Sequence, residues 1–189
     1  MRERTGNVKT LATVSVPNRT IVGVVFLVGG ALQILGALVG LGNPGNSGGF
    51  YLLSNLTIGA GFALMIACFA GTTVTRVAYF LAALGWFLLA VTSLIDLGIV
   101  GLVSLFLAVV GSLFAALIVM SARPFAGQAD ILFFASMILG AVNLLLSQNR
   151  DVPNLLRTLV VVVFGVLLVV AGILILGTRI SRAALKPGP

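Results

Sequence analysis

Long apolar runs separated by short polar breaks make up most of this chain. Six runs approach or exceed the roughly 20 residues of helix that cross a hydrocarbon core of about 30 Å. They cover about 20–41, 51–71, 77–95, 99–120, 131–146 and 155–176, the fifth being the shortest. A lipid-exposed backbone has to form its hydrogen bonds within one segment, so each run is expected to be helical. The pattern predicts an all-α, polytopic membrane protein, a compact bundle of six transmembrane helices arranged as three helical hairpins.

Composition supports the membrane class. Hydrophobic residues make up 60% of the 189 residues and charged residues only 8%, whereas a soluble domain carries about 25% charged residues. A soluble fold of this length exposes too much surface to hide so much apolar side chain. The lipid bilayer is therefore the predicted environment.

The basic residues set the predicted orientation. If the N-terminus is cytoplasmic, nine of the eleven Lys and Arg residues fall on the cytoplasmic side and two on the other, which is the bias of the positive-inside rule. The nine are Arg2, Arg4, Lys9, Arg19, Arg76, Arg123, Arg179, Arg182 and Lys186, and the two are Arg150 and Arg157. We expect a cytoplasmic tail at 1–19, a membrane domain at 20–177 and a second cytoplasmic tail at 178–189. The location expected is a plasma (inner) membrane, and the composition is typical of bacteria.

The net charge of +7 does not indicate nucleic-acid binding. Its basic residues lie at the ends of apolar runs, and no stretch interleaves basic with aromatic residues as single-strand-binding surfaces do. Lipid, other membrane proteins or a second copy of the chain are the partners expected.

Small residues recur at helical spacing in three of the predicted helices. Such stripes let helix backbones approach closely in lipid. They comprise Gly36 and Gly40 in the first helix, Gly59, Ala63, Ala67 and Gly71 in the second, and Gly165 and Gly172 in the sixth. Packing within the bundle and association into a homo-oligomer are the two interpretations.

A few polar side chains lie inside or beside the apolar runs. Gln33 is deep in the first helix, and Ser136 and Asn143 share one face of the fifth. Amides in this position either bond to a neighbouring helix or line a solute path. Asp96, in the turn after the third helix, is expected to cap the fourth, with ion coordination or proton transfer as the alternative. Asp130 is placed to cap the fifth.

No catalytic or cofactor-binding pattern is present in the sequence. It contains no histidine and one cysteine, Cys68, which excludes histidine-based metal and base chemistry and a thiolate cluster. No Walker loop, nucleophile elbow or dinucleotide fingerprint occurs among the glycines. We therefore expect neither an enzyme nor a bound cofactor or metal.

Three functions remain after these exclusions. The first is an accessory or scaffold subunit that packs against other membrane proteins through its small-residue stripes. The second is a transporter or channel for a small neutral or lipophilic solute, along a path lined by Gln33, Asn143, Ser136 and Thr92. The third is a membrane enzyme whose partner supplies the catalytic groups.

The layout of glycine-rich hairpins in a chain of this length resembles the HdeD-like small membrane proteins. This likeness is one of architecture over the whole chain and includes no diagnostic motif, so it implies the fold and no function.

Overall fold

The computed structural model describes residues 16–68, 72–93, 98–125, 127–149 and 151–184. Over these residues it contains six α-helices, each long and apolar enough to span a membrane. Their bounds are α1 Val16–Gly42, α2 Gly48–Cys68, α3 Thr73–Thr92, α4 Ile99–Ala122, α5 Gln128–Gln148 and α6 Asn154–Ala184. The chain is a multi-pass α-helical membrane protein, and the predicted fold class is confirmed.

The described helices form a closed antiparallel ring. Each helix packs against the helices that precede and follow it in the chain, and the first, α1, closes the ring by packing against the last, α6. Successive helices alternate in direction, so the ring has two ends. We call the end that holds the α1–α2 and α5–α6 connections the distal end, and the opposite end, where α1 begins and α6 finishes, the terminal end. The three hairpins that the sequence predicts are not set apart in this ring, because α2 also packs against α3, α4 against α5 and α6 against α1.

Helices α3 and α4 approach each other at the backbone. A Cβ atom added at Gly85 would lie 2.2 Å from the Ala108 nitrogen, and one added at Gly111 would lie 2.3 Å from the Ala82 nitrogen. Two glycines, each facing an alanine on the partner helix, therefore permit this contact. Close approach maximises van der Waals contact and replaces the hydrophobic drive that lipid does not supply.

The α1–α6 contact that closes the ring is built in the same way. A Cβ at Gly30 would lie 2.7 Å from the Gly165 carbonyl oxygen, and one at Gly172 would lie 2.7 Å from the Gly23 carbonyl oxygen. The glycines are seven residues apart on both helices, so they recur on one face after about two turns. These two pairs fix the antiparallel register of α1 against α6.

Helix α5 is longer than its apolar run predicts. It covers 21 residues, Gln128–Gln148, because polar residues at both ends continue the helix. Asp130 lies in its first turn but does not serve as the N-cap, which is Gly127. Instead, the Asp130 carboxylate accepts a hydrogen bond of 2.9 Å from the Phe125 backbone N–H. It thus stabilises the α4–α5 connection, and the predicted capping role was wrong.

Aromatic rings fill the ring axis toward the terminal end. Phe26, Phe62 and Phe133 come from α1, α2 and α5 and meet edge to face, with centroid separations of 5.0–6.1 Å. Phe125 lies 5.8 Å from Phe133 and extends the cluster into the α4–α5 connection. All four side chains are fully buried. We call these four residues the aromatic plug.

Candidate solute-binding cleft

Toward the distal end, the axis of the ring opens into a cleft. Its inner part has a volume of about 250 Å³ and its outer part about 400 Å³, and the two parts share Tyr51, Arg157 and Val161. The inner part is lined from five helices, by Gln33, Tyr51, Asn55, Trp86, Asn143, Leu144, Ser147, Arg157 and Val161. We call this space the distal cleft.

Three carboxamides from three helices line the inner part of the cleft: Gln33 of α1, Asn55 of α2 and Asn143 of α5. The Gln33 amide nitrogen donates to the Asn55 oxygen at 3.5 Å, the long limit of a hydrogen bond. Each carboxamide offers two N–H donors and an acceptor oxygen, so one weak bond leaves most of this capacity unused. The inner cleft can therefore both donate to and accept from a polar solute.

Trp86 forms part of the cleft wall where the cleft meets the packed interior. Its indole lies nearly parallel to the Phe164 ring, with centroids 6.2 Å apart and an interplanar angle of 15°. The indole N–H donates a 2.9 Å hydrogen bond to the Ser112 hydroxyl on α4. Two helices thus hold the indole in place. It is almost fully buried beside the amides, and it belongs to the only tryptophan in the chain.

Arg157 brings a positive charge to the cleft. It lies in the first turn of α6 and lines both the inner and the outer part. Its Nη2 donates to the Asn149 backbone oxygen at the end of α5. The Nε atom is buried and has no hydrogen-bond partner among the described residues. The guanidinium is therefore only partly satisfied by the protein around it.

The α1–α6 register gives the depth of these groups. Because Gly30 faces Gly165 and Gly23 faces Gly172, Arg157 is level with about position 38 of α1. The Gln33 backbone is five residues further in, about 7.5 Å at 1.5 Å per residue. The Arg157 guanidinium donates to Asn149 at the distal end of α5, so the charge lies nearer the mouth of the cleft and the amide nearer its floor.

The mouth of the cleft is also polar. Ser47, Tyr51, Asn154 and Thr158 line the outer part together with Arg157. Asn154 is the first residue of α6, so the positive end of that helix dipole is at the mouth. The outer cleft therefore combines polar groups with the apolar side chains of Ala37, Leu41 and Val161, and its positive charge and helix dipole favour an anion.

The structure brings some of the predicted polar residues together and separates others. Gln33 and Asn143 both line the distal cleft, although Gln33 bonds to Asn55 and not to Asn143. Ser136 is buried outside the cleft and donates to the Phe133 carbonyl of its own helix at 2.7 Å. Thr92 likewise bonds to the Leu89 carbonyl. Asp96 lies outside the described residues.

The predicted small-residue stripes face different neighbours. Gly165 and Gly172 pack against α1, Gly59 against the Phe87 ring, and Gly36 against Tyr51 and Phe50. Gly40 faces Ser47 at ordinary contact distance. Ala63 is partly buried against the core, Ala67 is exposed and Gly71 lies outside the described residues. An oligomer interface through these positions stays a prediction.

Sequence reasoning did not assign Asn55 and Arg157 to this site. The sequence pattern did not single out Asn55, and it marked Arg157 only as one of the two basic residues on the non-cytoplasmic side. A helical-face analysis of α6 offered a signal, because Asn154, Thr158 and Val161 share one face with Arg157 at spacings of three and four. For Asn55 the signal was its spacing of four residues from Tyr51, which places the two polar side chains on one face of α2.

Among the described residues, no group of three or more His, Cys, Asp or Glu side chains is placed to hold a metal ion. Comparison with known proteins finds no matching family model, no matching curated protein and no matching solved structure. No family match therefore supports the architectural resemblance to the HdeD-like proteins, and that resemblance assigns no function to this chain.

Proposed function

We propose that this protein is a membrane carrier that binds a small polar solute in the distal cleft. One observation carries the proposal: Gln33, Asn55 and Asn143, from three different helices, converge on one cavity with unused hydrogen-bonding capacity. Polar groups within a membrane domain are costly, and they are typical of solute and ion pathways when they line a cavity.

The size and shape of the cleft support a small solute. Ligand pockets in proteins usually measure about 300–1,000 Å³. The outer part of the cleft, at about 400 Å³, is at the lower end of that range, and the inner part, at about 250 Å³, is below it. The aromatic plug occupies the axis beyond the cleft. A carrier that exposes its site to one side at a time fits this arrangement better than a continuously open channel.

Trp86 provides a direct binding assay, because every change in tryptophan fluorescence arises from this one side chain at the cleft. Purified protein in mild detergent is titrated with succinamide, urea and glycerol as neutral polar probes. We expect a saturable change with at least one of them. Asn143→Leu should weaken that binding at least tenfold, since it removes a donor and an acceptor worth about 0.5–1.5 kcal/mol each.

Gln128→Leu is the matched control, because it also removes a carboxamide from α5 but at the terminal end, where Gln128 is exposed. Its titration should match the wild type. Flux of the bound probe into liposomes, lost in Asn143→Leu and kept in Gln128→Leu, then tests the carrier step. An Asn143→Leu protein that binds and moves the probe as the wild type does would refute the proposal.

We further propose that the protein resides in the plasma (inner) membrane with both termini cytoplasmic, which opens the cleft to the outside. The nine-to-two distribution of basic residues supports this orientation. Cysteine labelling on a Cys68→Ala background tests it. A cysteine at Ala184 should be protected from an impermeant reagent in intact cells, and one at Asn46 in the α1–α2 connection should be labelled.

The accessory-subunit hypothesis receives less support from the structure. It rests on small-residue stripes, and the glycines at 36, 59, 165 and 172 pack against neighbours within the chain. A stoichiometric partner that co-purifies in mild detergent, together with unchanged Trp86 fluorescence for every polar probe, would favour it over the carrier.

A further inference from the structure

We propose that Arg157 makes the distal cleft selective for anions, and that the solute is a small carboxylate carrying a second hydrogen-bonding group. This inference rests on the proposed function and narrows its substrate class, since the sequence pointed to a neutral or lipophilic solute. It follows from the position of one arginine, from the charges around it and from the depth of the carboxamides below it.

The first step concerns the unsatisfied guanidinium. Arginine carries five N–H donors and remains charged in proteins. Arg157 uses Nη2 on the Asn149 carbonyl, while its buried Nε has no partner among the described residues. A buried N–H donor without a partner is costly. A carboxylate bound in the cleft would accept from the free donors in the paired geometry that arginine favours.

The second step concerns the acidic residues in the described part of the chain, neither of which is paired with Arg157. Of the two acidic residues in the described part of the chain, Asp130 lies at the opposite end of the ring and is engaged with the Phe125 N–H. Asp151 is exposed in the α5–α6 connection, and no ion pair joins it to Arg157 within the described residues. Glu3 and Asp96 lie outside them. The positive end of α6, at Asn154, adds to the field at the mouth.

The third step concerns the other end of the solute. The Gln33 backbone lies about 7.5 Å deeper than the Arg157 backbone along the ring axis, and Asn55 and Asn143 line the same inner space as Gln33. A carboxylate held by Arg157 therefore directs the rest of the molecule toward groups that both donate and accept. A second polar function a few bonds from the carboxylate fits this separation, whereas a purely apolar tail leaves the amides unsatisfied.

Three ligands that share a carboxamide and differ in the charge at the other end test the inference. Succinamate carries a carboxylate, succinamide a second neutral amide and β-alaninamide an ammonium group. In the Trp86 fluorescence titration we expect wild-type protein to bind succinamate at least tenfold more tightly than succinamide, and β-alaninamide more weakly than either. Arg157→Gln should remove the preference for succinamate, while Arg157→Lys retains part of it and Gln128→Leu all of it.

Size-exclusion profiles and thermal unfolding of the Arg157 variants verify that they fold, since Arg157 also ties α6 to the end of α5. Equal affinity of the wild type for succinamate and succinamide overturns the inference, as does a preference that survives in folded Arg157→Gln. In either case, binding of succinamide that depends on Asn143 leaves the solute-binding function standing. No saturable response to any of the three ligands in the wild type overturns both proposals.

Discussion

The terminal half of the ring axis is packed with aromatic rings, whereas the distal half is lined by carboxamides and holds a cavity. On α5, Phe133 of the aromatic plug and Asn143 of the distal cleft are ten residues apart. On α1, Phe26 and Gln33 are seven residues apart and repeat the same division. The outer walls are alike, because large apolar side chains face outward on every helix.

The difference indicates that the aromatic plug and the distal cleft have different roles. Edge-to-face ring contacts add about 0.5–1.5 kcal/mol each beyond the area they bury, so the plug stabilises the ring. The carboxamides form one long hydrogen bond among themselves in the described structure and contribute little to stability. Their arrangement favours binding over packing, and the following substitutions test that division.

The largest effect is expected where the two halves meet. Gly85 precedes Trp86 on α3, and a Cβ there would meet the backbone of Ala108 at 2.2 Å. Backbone atoms cannot rotate away, so Gly85→Ala has to separate α3 from α4 and displace Trp86. We expect a loss of about 3 kcal/mol or more in the free energy of unfolding, together with altered Trp86 fluorescence. Gly101→Ala on α4, where no atom lies within 4 Å, is the control and should be neutral or slightly stabilising.

Removing a ring from the plug should have the next largest effect. Phe133 contacts Phe26, Phe62 and Phe125, so Phe133→Ala leaves a cavity. The transfer part of the usual Phe→Ala cost is reduced in lipid, and we expect about 2–3 kcal/mol of destabilisation. Solute affinity should stay within about threefold. Phe106→Ala, at a side chain 65% exposed on α4, should change stability far less; equal effects would show that the plug is not a stabilising core.

A smaller effect is expected for an inter-helix hydrogen bond. The buried Ser54 hydroxyl on α2 donates to the Gly29 carbonyl on α1 at 2.8 Å. Ser54→Ala should lower the free energy of unfolding by about 0.6–1 kcal/mol. Thr57→Val, three residues on, removes a hydroxyl that bonds within its own helix to Leu53 and should cost less. The reverse order, measured by unfolding in mixed detergent micelles, would contradict this assignment.

The smallest effect on stability should come from the cleft amides. A double-mutant cycle of Gln33→Leu and Asn55→Leu should give a coupling energy of about 0.5 kcal/mol or less, because their bond is 3.5 Å long. The same variants should weaken solute binding at least tenfold. A coupling above about 1.5 kcal/mol, the range of strong hydrogen bonds within membranes, would assign the pair to packing instead of binding.

Some of the residues that line the distal cleft could be predicted from the sequence. Gln33 and Asn143 are conspicuous because carboxamides are rare within apolar runs, and both line the cavity. Ser136 shares a helical face with Asn143, yet it lies outside the cleft, and its hydroxyl donates to the Phe133 carbonyl. A helical face gives direction but not depth, so the sequence had no means to separate these two residues. Arg157 could not be assigned to the cleft from the sequence, because it lies near a helix end, where charged residues are common in membrane proteins.

The sequence by itself determined the membrane class and the number of spanning helices. Both follow from local physics, since the length of an apolar run is compared only with the thickness of the bilayer. Tertiary structure decided the closure of α1 on α6, the partners of each glycine and the meeting of Gln33, Asn55, Asn143 and Arg157 around one cavity. In lipid the outward and inward faces of a helix are both apolar, so hydrophobic periodicity does not mark the buried side. Steric fit between helices sets that arrangement, and it depends on residues far apart in the chain.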